Sequence, residues 1–216
     1  MRKWIPPLLV IIAVVATLAV YSRLPEQVPT HWNVRGEVDD WSSRLWGAWT
    51  IPLVMAFMLL AFRTFPLIDP RRENYPKFAG AYEGILLVVL LFMLALHFSL
   101  LMTMLGHPVA VMGMLPVGIG LLLIGIGIFL PKAHSNWFIG IRTPWTLSND
   151  RVWERTHRVG GYVMIATGIV IAASAFLAPI WTHRVMAGAI AAMVIIVVAY
   201  SFFAWRQEVT PSKRGD

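Results

Sequence analysis

Six apolar stretches, each long enough to cross a bilayer as a helix, constrain the fold more than any other feature of the chain. They are Trp4–Tyr21, Leu45–Phe62, Tyr82–Leu105, Val109–Leu130, Gly161–Ile180 and Val185–Trp205. A backbone in hydrocarbon must satisfy its own hydrogen bonds, so apolar runs of about 18 to 20 residues favour transmembrane helices. Only 13% of the 216 residues are charged. We therefore predict an all-α fold, a polytopic bundle of six transmembrane helices.

The distribution of basic residues predicts the orientation of this bundle. Of the 18 Lys and Arg residues, all but Arg23, Arg35, Arg44 and Arg184 lie on one predicted side. Basic residues are enriched in cytoplasmic loops, so this side and both chain termini are predicted to be cytoplasmic. Topology and contact with anionic lipid account for the net charge of +7. With no zinc-finger, homeodomain or basic-zipper pattern, we predict no direct nucleic acid binding. The first stretch could instead be a cleaved signal peptide, because two basic residues precede it.

Glycine spacing predicts how the helices pack. On the fourth stretch Gly113, Gly120 and Gly127 recur every seven residues, and Gly118 and Gly125 repeat on nearly the opposite side. Small residues let membrane helices approach closely, so this helix is expected to pack against two neighbours. The fifth stretch carries a similar stripe of Gly161, Gly168, Ala172 and Ala175.

The connection between the first two stretches, residues 23–44, is rich in Pro, Trp and acidic residues. Pro25 and Pro29 exclude a regular helix through its first part, and Asn33 and Gly36 suit a turn. Its tryptophans suit the lipid headgroup region. Two interpretations stay open: a tight cap held by aromatic anchors, or an outward surface whose carboxylates attract cationic ligands. The carboxylates are those of Glu26, Glu37, Asp39 and Asp40.

The histidines raise the question of metal binding. His31, His107 and His183 fall in the three predicted outer connections, and His97 lies in the outer half of the third stretch. They could converge on a zinc ion or form a pH-sensing cluster. Their spacing matches no ligand motif, and the chain has no Cys, which excludes disulfides and thiolate sites. We predict no metal site and no cofactor, with the histidine cluster as the alternative.

The connection between the fourth and fifth stretches, residues 131–160, is long and chemically distinctive. Pro144 indicates a turn, and Arg142 needs a backbone carbonyl, a carboxylate or a lipid phosphate as its partner. Ser148 or Asn149 can cap a helix that runs to Gly160. One charged and one apolar face predict a short amphipathic helix lying at the cytoplasmic interface. Its charged stripe consists of Arg151, Glu154, Arg155 and Arg158, with Glu154 and Arg158 at the spacing of a favourable ion pair.

Two sequence patterns bracket most of the chain, about residues 5 to 205. The inner pattern comprises Asn136, Gly140, Ile141, Arg142, Thr143, Pro144, Trp145, Thr146, Leu147, Val152, Trp153, Thr156, His157, Arg158 and Gly160. The outer pattern comprises Leu24, Pro25, Val28, Pro29, His31, Trp32, Asn33, Gly36 and Asp39. The inner pattern resembles the signature of the SdpI family, and the outer one resembles the short domain of unknown function that commonly precedes it.

This resemblance implies an integral membrane immunity and signal-transduction protein, located in the inner membrane of a bacterial cell. The best-known member of the family protects cells from a secreted antimicrobial peptide toxin and, with toxin bound, captures a cytoplasmic repressor. By this resemblance the toxin or ligand would meet four outer residues, namely His31, Asn33, Gly36 and Asp39. The repressor would meet ten cytoplasmic residues, namely Asn136, Gly140, Arg142, Thr143, Pro144, Trp145, Trp153, Thr156, His157 and Arg158.

The two patterns also predict a division of the chain. Residues 1–62 would form a two-helix unit with the outer loop 23–44. Residues 63–216 would form a four-helix unit with the cytoplasmic loop 131–160.

Transport and catalysis are competing functions. A small-molecule or peptide transporter of the inner membrane would place ionisable residues or broken helices near the bilayer midplane. Glu83 and His97 are the only acidic or basic residues within the predicted spans. This scarcity makes transport the less favoured function, and we keep it as the alternative. The sequence contains no HExxH, no phosphate-binding glycine loop and no nucleophile elbow, and we predict no enzyme activity.

Overall fold

A computed structural model of the protein describes residues 4–107 and 111–210. Its elements in chain order are helix α1 (Ile5–Val20), strands β1 (Gln27–Trp32) and β2 (Val38–Ser43), and helices α2 (Arg44–Ile68), α3 (Ala79–Met104), α4 (Val111–Phe129), α5 (Pro144–Ser148), α6 (Asp150–Ala173) and α7 (Pro179–Val209). Within the described residues, all of these helices except α5 have the length and apolar composition to cross a membrane. The predicted all-α, multi-pass bundle is therefore confirmed. The predicted start of the fourth span and four basic residues at the chain ends lie outside the described residues.

Three span predictions were wrong in their bounds. The sixth span, α7, begins at Pro179, six residues before the predicted start, and ends at Val209, four residues beyond the predicted end. Helix α2 continues through Pro52 and Pro66 to Ile68, six residues beyond the predicted end. The predicted interface helix and the fifth span form one continuous helix, α6, which ends at Ala173 instead of Ile180. Gly160 lies within α6 and does not break it. The absence of a side chain there makes room for Ile141, because a Cβ would lie 2.3 Å from Cδ1 of that residue.

The glycine stripes pack α4 against two different helices, as predicted. On one face, a Cβ at Gly120 would lie 2.5 Å from the carbonyl oxygen of Gly168 in α6, and Gly127 meets α6 in the same way. On the other face, Gly118 and Gly125 meet side chains of α3, among them Phe92 and Val88. Bare backbone at these positions brings three helices together without a hydrophobic driving force.

Helices α1, α2 and α3 enclose the main apolar core, which includes Leu9, Met55, Phe62, Tyr82 and Leu86. Helix α3 also packs on α4, so it joins these helices to the α4, α6 and α7 group. The predicted boundary at residue 62 therefore stays a prediction. Outward apolar side chains on α2 and α7 imply contact with lipid, because no water-soluble surface of this size stays so apolar.

The structure adds an antiparallel hairpin, β1–β2, that was not predicted. It pairs Gln27 with Ser43 and Val28 with Ser42, and its ladder is irregular after Pro29. Val28 is fully buried beneath it, and a Cβ at Gly47 in α2 would overlap the Val28 side chain. The hairpin thereby sits on the ends of α1, α2 and α3. We call this end of the bundle the hairpin end.

The opposite end carries the long connection of residues 131–149. Helix α2 separates the two ends by about 37 Å, given its 25 residues and a helical rise of about 1.5 Å per residue. At this end, residues 69–78 lie against residues 131–150. We call it the loop end, and residues 131–149 the signature loop.

Candidate functional site

At the hairpin end, Asn33 and Gly36 form the turn between the two strands. Oδ1 of Asn33 accepts hydrogen bonds from the backbone N–H groups of Arg35 at 2.8 Å and Glu37 at 3.2 Å. Its Nδ2 donates to the Glu37 carboxylate at 3.0 Å. Gly36 has φ +84°, a conformation that favours glycine. These two predicted ligand residues therefore fix the shape of the hairpin tip.

The other two predicted outer residues meet across the strands. Nδ1 of His31 lies 2.6 Å from Oδ1 of Asp39, and both side chains are well exposed. The structure thus brings all four predicted residues into one hairpin. Trp41 and Trp46 are also exposed there, at 55% and 62%. The hairpin offers carboxylates beside aromatic rings, a combination suited to a cationic, amphipathic ligand.

The predicted outer histidines do not converge. Nε2 of His97 lies 2.9 Å from Oγ1 of Thr17, inside the bundle between α1 and α3. The ring of His183 contacts the carbonyl of Pro179 in its own helix. Among residues 4–107 and 111–210, no group of three His, Cys, Asp or Glu residues is arranged to hold a metal ion. The zinc alternative has no geometric support in this part of the chain.

At the loop end, Asn136 folds the first part of the signature loop onto itself. Its side chain is fully buried. Oδ1 accepts from the N–H groups of Phe138 and Ile139 at 2.9 and 2.7 Å, and Nδ2 donates to the carbonyls of His134 and Ile139 at 2.8 and 2.9 Å. All the hydrogen-bonding capacity of this amide serves the loop backbone.

Gly140, Trp153 and His157 hold the middle of the loop against α6. Gly140 has φ +124°, and a Cβ on it would lie 2.3 Å from Nε2 of His157. The His157 ring stacks on Trp153 with centroids 4.0 Å apart. Its Nε2 accepts from the N–H of Ile141 at 2.9 Å, and its Nδ1 donates to the carbonyl of Trp153 at 2.8 Å. The two bonds define a neutral imidazole with its proton on Nδ1.

The second half of the loop is closed by a capping box at the start of α5. Oγ1 of Thr143 accepts from the N–H of Thr146 at 3.2 Å, and Oγ1 of Thr146 accepts from the N–H of Thr143 at 2.9 Å. Pro144 occupies the first turn, where its missing N–H costs nothing. The Thr143 hydroxyl also donates to Oγ of Ser201 in α7 at 3.1 Å. The loop is therefore tied to α7 as well as to α6.

Two residues that were not predicted, Asp69 and Arg71, fasten the signature loop to the end of α2. The Asp69 carboxylate is buried and accepts from the N–H of Arg71 at 2.7 Å, the N–H of Trp137 at 2.9 Å and the hydroxyl of Tyr75 at 2.8 Å. Arg71 donates to the carbonyl of Leu147 at 2.9 Å and to the Ser135 hydroxyl. Only a weak pattern in the sequence could have indicated this role: Asp69 is an acidic residue between an apolar span and a proline.

Burial divides the ten predicted partner-binding residues into two groups. Five have buried side chains that shape the loop in this conformation, and their role in binding a partner stays a prediction: Asn136, Thr143, Trp153, Thr156 and His157. Gly140 supplies backbone shape. Arg142, Pro144 and Arg158 are exposed, and Trp145 is half-buried against Phe202. Arg142 finds its partner in a backbone carbonyl, that of Trp137 at 2.6 Å.

Comparisons with known proteins match the stretches of sequence that form the two ends of this structure. Residues 8–56 match a domain of unknown function, DUF1648, and residues 132–203 match the SdpI/YfhL protein family. The chain is also similar to "Immunity protein SdpI" of Bacillus subtilis (strain 168). The two sequences are 27% identical over 169 residues, which cover 78% of this chain and 79% of that protein. No solved structure matches the chain significantly.

The two family matches fall on the two ends already described. The first spans α1, the hairpin and the start of α2, and the second spans the signature loop, α6 and most of α7. The chain is therefore a multi-pass membrane protein that contains an SdpI/YfhL family domain, with a DUF1648 domain ahead of it.

Proposed function

We propose that this protein is a non-catalytic immunity protein that protects the cell from an antimicrobial peptide. The hairpin end would face outward and meet the peptide, and the loop end would face the cytosol and present a surface to a soluble partner. The observation that carries the proposal is that two ordered connections, the β1–β2 hairpin and the signature loop, lie at opposite ends of one helix bundle. The basic residues concentrated at the loop end support this orientation.

The chemistry of the hairpin supports a peptide ligand. Peptides that attack membranes are commonly amphipathic and rich in Lys and Arg. The hairpin end exposes carboxylates at Glu37, Asp39 and Asp40 beside the rings of Trp41 and Trp46. Carboxylates attract the peptide's charges, and the aromatic rings take its apolar face at the level of the headgroups.

A continuous path joins the hairpin to the signature loop. The backbone N–H of Arg44, at the start of α2, donates to the carbonyl of Glu26 in the segment before β1 at 2.8 Å. Helix α2 then runs to Ile68, and the next residue, Asp69, accepts from the N–H of Trp137 in the loop. A peptide that prefers one of two positions of α2 would thereby shift the signature loop between two states.

The exposed part of the signature loop suits a soluble partner. Hydrogen bonds hold the loop backbone that carries Arg142, Pro144 and Trp145. The positions of these residues are therefore fixed before a partner binds. We extend the proposal to capture of a cytoplasmic transcriptional repressor, in line with the family resemblance. This second step is separable from protection.

A killing assay tests the proposal. Sensitive cells producing the protein are exposed to envelope-active peptides, and the tolerated concentration is compared with that of the triple variant Glu37→Gln, Asp39→Asn and Asp40→Asn. We expect tolerance to fall about tenfold or more, because the hairpin loses its attraction for cations. The matched control is Glu73→Gln, an exposed carboxylate at the loop end. Equal tolerance of the triple variant and the control, at equal protein level, would contradict the outward-facing role of the hairpin.

Export of the peptide is the alternative mechanism of protection. Peptide uptake by inside-out proteoliposomes distinguishes the two, because export requires flux whereas immunity by binding does not. A flux that depends on an ion gradient would replace the binding mechanism.

A further inference from the structure

A polar cavity of about 330 Å³ opens at the loop end, where residues 131–135 of the signature loop line it and Arg142 and Trp145 do not. It lies between the turn that precedes α3 and the junction of α4 with α6. Its charged and polar lining includes Asn74, Lys77, Lys132, His134, Glu154 and Arg158. None of the roles proposed above uses Lys77, Lys132 or Glu154.

The cavity lies at the depth of the lipid headgroups. Lys132 comes three residues after the last residue of α4, and Lys77 comes two residues before the first residue of α3. Arg158 precedes Gly160, where the apolar part of α6 begins. Three cationic side chains from three segments therefore line one cavity near the ends of the apolar spans, the region in which the phosphates of lipids are expected.

These cations are not neutralised by neighbouring carboxylates. Among residues 4–107 and 111–210, no carboxylate lies within ion-pair distance of Lys77, Lys132 or Arg158. Nζ of Lys77 donates to the amide oxygen of Asn74 at 2.7 Å, and Lys132 lies 6.0 Å from the ring of Phe129. The ion pair that the spacing of Glu154 and Arg158 favours does not form.

On α6 the carboxylates of the cavity lie farther from the hydrocarbon than Arg158. Glu154 precedes Arg158 by one turn, about 6 Å of helix, and Asp150 precedes Glu154 by another. Asp150 is already paired with Arg71 at 3.4 Å. Glu154 is exposed and forms no ion pair in the described residues. This wall of the cavity therefore carries a cation next to the apolar part of α6 and an available carboxylate one turn farther out.

The walls of the cavity are fixed in advance. Trp153 is fully buried behind it, and its Nε1 donates to the carbonyl of Ala133 at 2.7 Å. The Asn74 amide donates to the carbonyl of Ser135 at 2.8 Å, which joins the two sides of the cavity. Preorganised walls lower the entropic cost of holding a small polar ligand.

We propose that this cavity binds the phosphoethanolamine headgroup of a membrane phospholipid. In such a lipid the phosphate lies nearer the hydrocarbon, and the primary ammonium follows after a short ethylene linker. Lys132 and Arg158 match the phosphate, and Glu154 matches the ammonium. A choline headgroup presents methyl groups that cannot donate hydrogen bonds to Glu154, and a glycerol headgroup carries no cation.

Lipid retention by the purified full-length protein tests the proposal. The protein is delipidated in detergent and incubated separately with phosphatidylethanolamine, phosphatidylcholine or phosphatidylglycerol. Native mass spectrometry then measures the fraction of protein that retains each lipid. We expect phosphatidylethanolamine to be retained about tenfold more tightly than the other two. Soluble O-phosphoethanolamine is expected to compete with it, because the headgroup carries the recognition.

Two variants assign the ends of the headgroup. Glu154→Gln is expected to remove the preference for phosphatidylethanolamine over phosphatidylcholine and leave phosphatidylcholine retention unchanged. Arg158→Gln is expected to weaken retention of all three lipids by about tenfold, and the matched control Arg206→Gln, an exposed arginine outside the cavity, to leave retention unchanged. All three side chains are exposed, so folding is expected to persist, as an unchanged thermal midpoint would verify. Equal retention of the three lipids by the wild type, or an unaltered preference in Glu154→Gln, would overturn the proposal.

Discussion

The imidazole of His157 and the backbone of Ile141 are joined by a hydrogen bond of 2.9 Å in which the ring nitrogen Nε2 is the acceptor. This bond links the signature loop to α6, although the two residues are 16 positions apart. The ring can accept at Nε2 because Nδ1 gives its proton to the carbonyl of Trp153. The loop conformation therefore depends on a neutral, buried histidine.

Replacing His157 by Ala is expected to destabilise the protein by about 2 to 5 kcal/mol. The variant loses a buried ring stacked on Trp153 and leaves the N–H of Ile141 without its acceptor. Reversible unfolding in detergent measures the effect, and His183→Ala, a half-buried histidine that contacts a carbonyl of its own helix, is the control. Equal stability of the two variants would show that the His157 bond does not hold the loop.

Gly140→Ala is expected to displace the signature loop. A Cβ at this position would lie 2.3 Å from the His157 ring, and the φ of +124° is strained for any L side chain. We expect a loss of about 1 to 3 kcal/mol together with faster proteolysis of residues 131–149. Gly188→Ala is the matched control, because nothing lies within 4 Å of its added methyl group. A loop that resists protease equally in both variants would contradict the packing described.

Asp69→Asn is expected to loosen the contact between the end of α2 and the signature loop. The amide keeps one acceptor oxygen, so its NH₂ group must face either the N–H of Arg71 or the N–H of Trp137 and the hydroxyl of Tyr75. Removing a charged acceptor from a buried network costs about 1 to 3 kcal/mol. Hydrogen exchange at Arg71 and Trp137 is the direct readout, with the exposed Glu73→Gln as control. Unchanged protection of both N–H groups would refute the role of Asp69.

The two glycine faces of α4 are expected to tolerate a methyl group unequally. At Gly120 the added Cβ would lie 2.5 Å from the Gly168 carbonyl oxygen, a backbone atom that cannot move without separating α4 from α6. At Gly118 it would lie 3.0 Å from the ring of Phe92, a side chain that can rotate. Overpacking costs about 1 to 3 kcal/mol, so Gly120→Ala is expected to lower the thermal midpoint more than Gly118→Ala does. The reverse order would contradict the helix crossing.

The sequence predicted the features that depend on local composition or spacing. Hydropathy located the six spans, because each span carries its own signal over about 20 residues. The seven-residue spacing of Gly120 and Gly127 assigned them to one face of α4, because helix geometry alone determines which residues share a face. Neither inference needed knowledge of distant partners.

The features that depend on distant contacts were missed. The hairpin pairs Val28 with Ser42, and its strands lack a clear apolar alternation. Asp69 accepts a hydrogen bond from the N–H of Trp137, 68 positions away in the sequence, and no local pattern predicts such a bond. The signature residues were recognised by resemblance, but only the structure shows their burial: the side chain of His157 is buried and shapes the loop, whereas that of Arg142 is exposed.

The central claim is that the hairpin faces outward and the signature loop faces the cytosol. The chain has no Cys, so Arg35→Cys in the hairpin and Arg142→Cys in the loop each introduce a single thiol at an exposed position. Intact cells are treated with a membrane-impermeant maleimide, with permeabilised cells as the reference. The account predicts that Arg35→Cys is labelled in intact cells and Arg142→Cys only after permeabilisation. Labelling of Arg142→Cys from outside intact cells would contradict it.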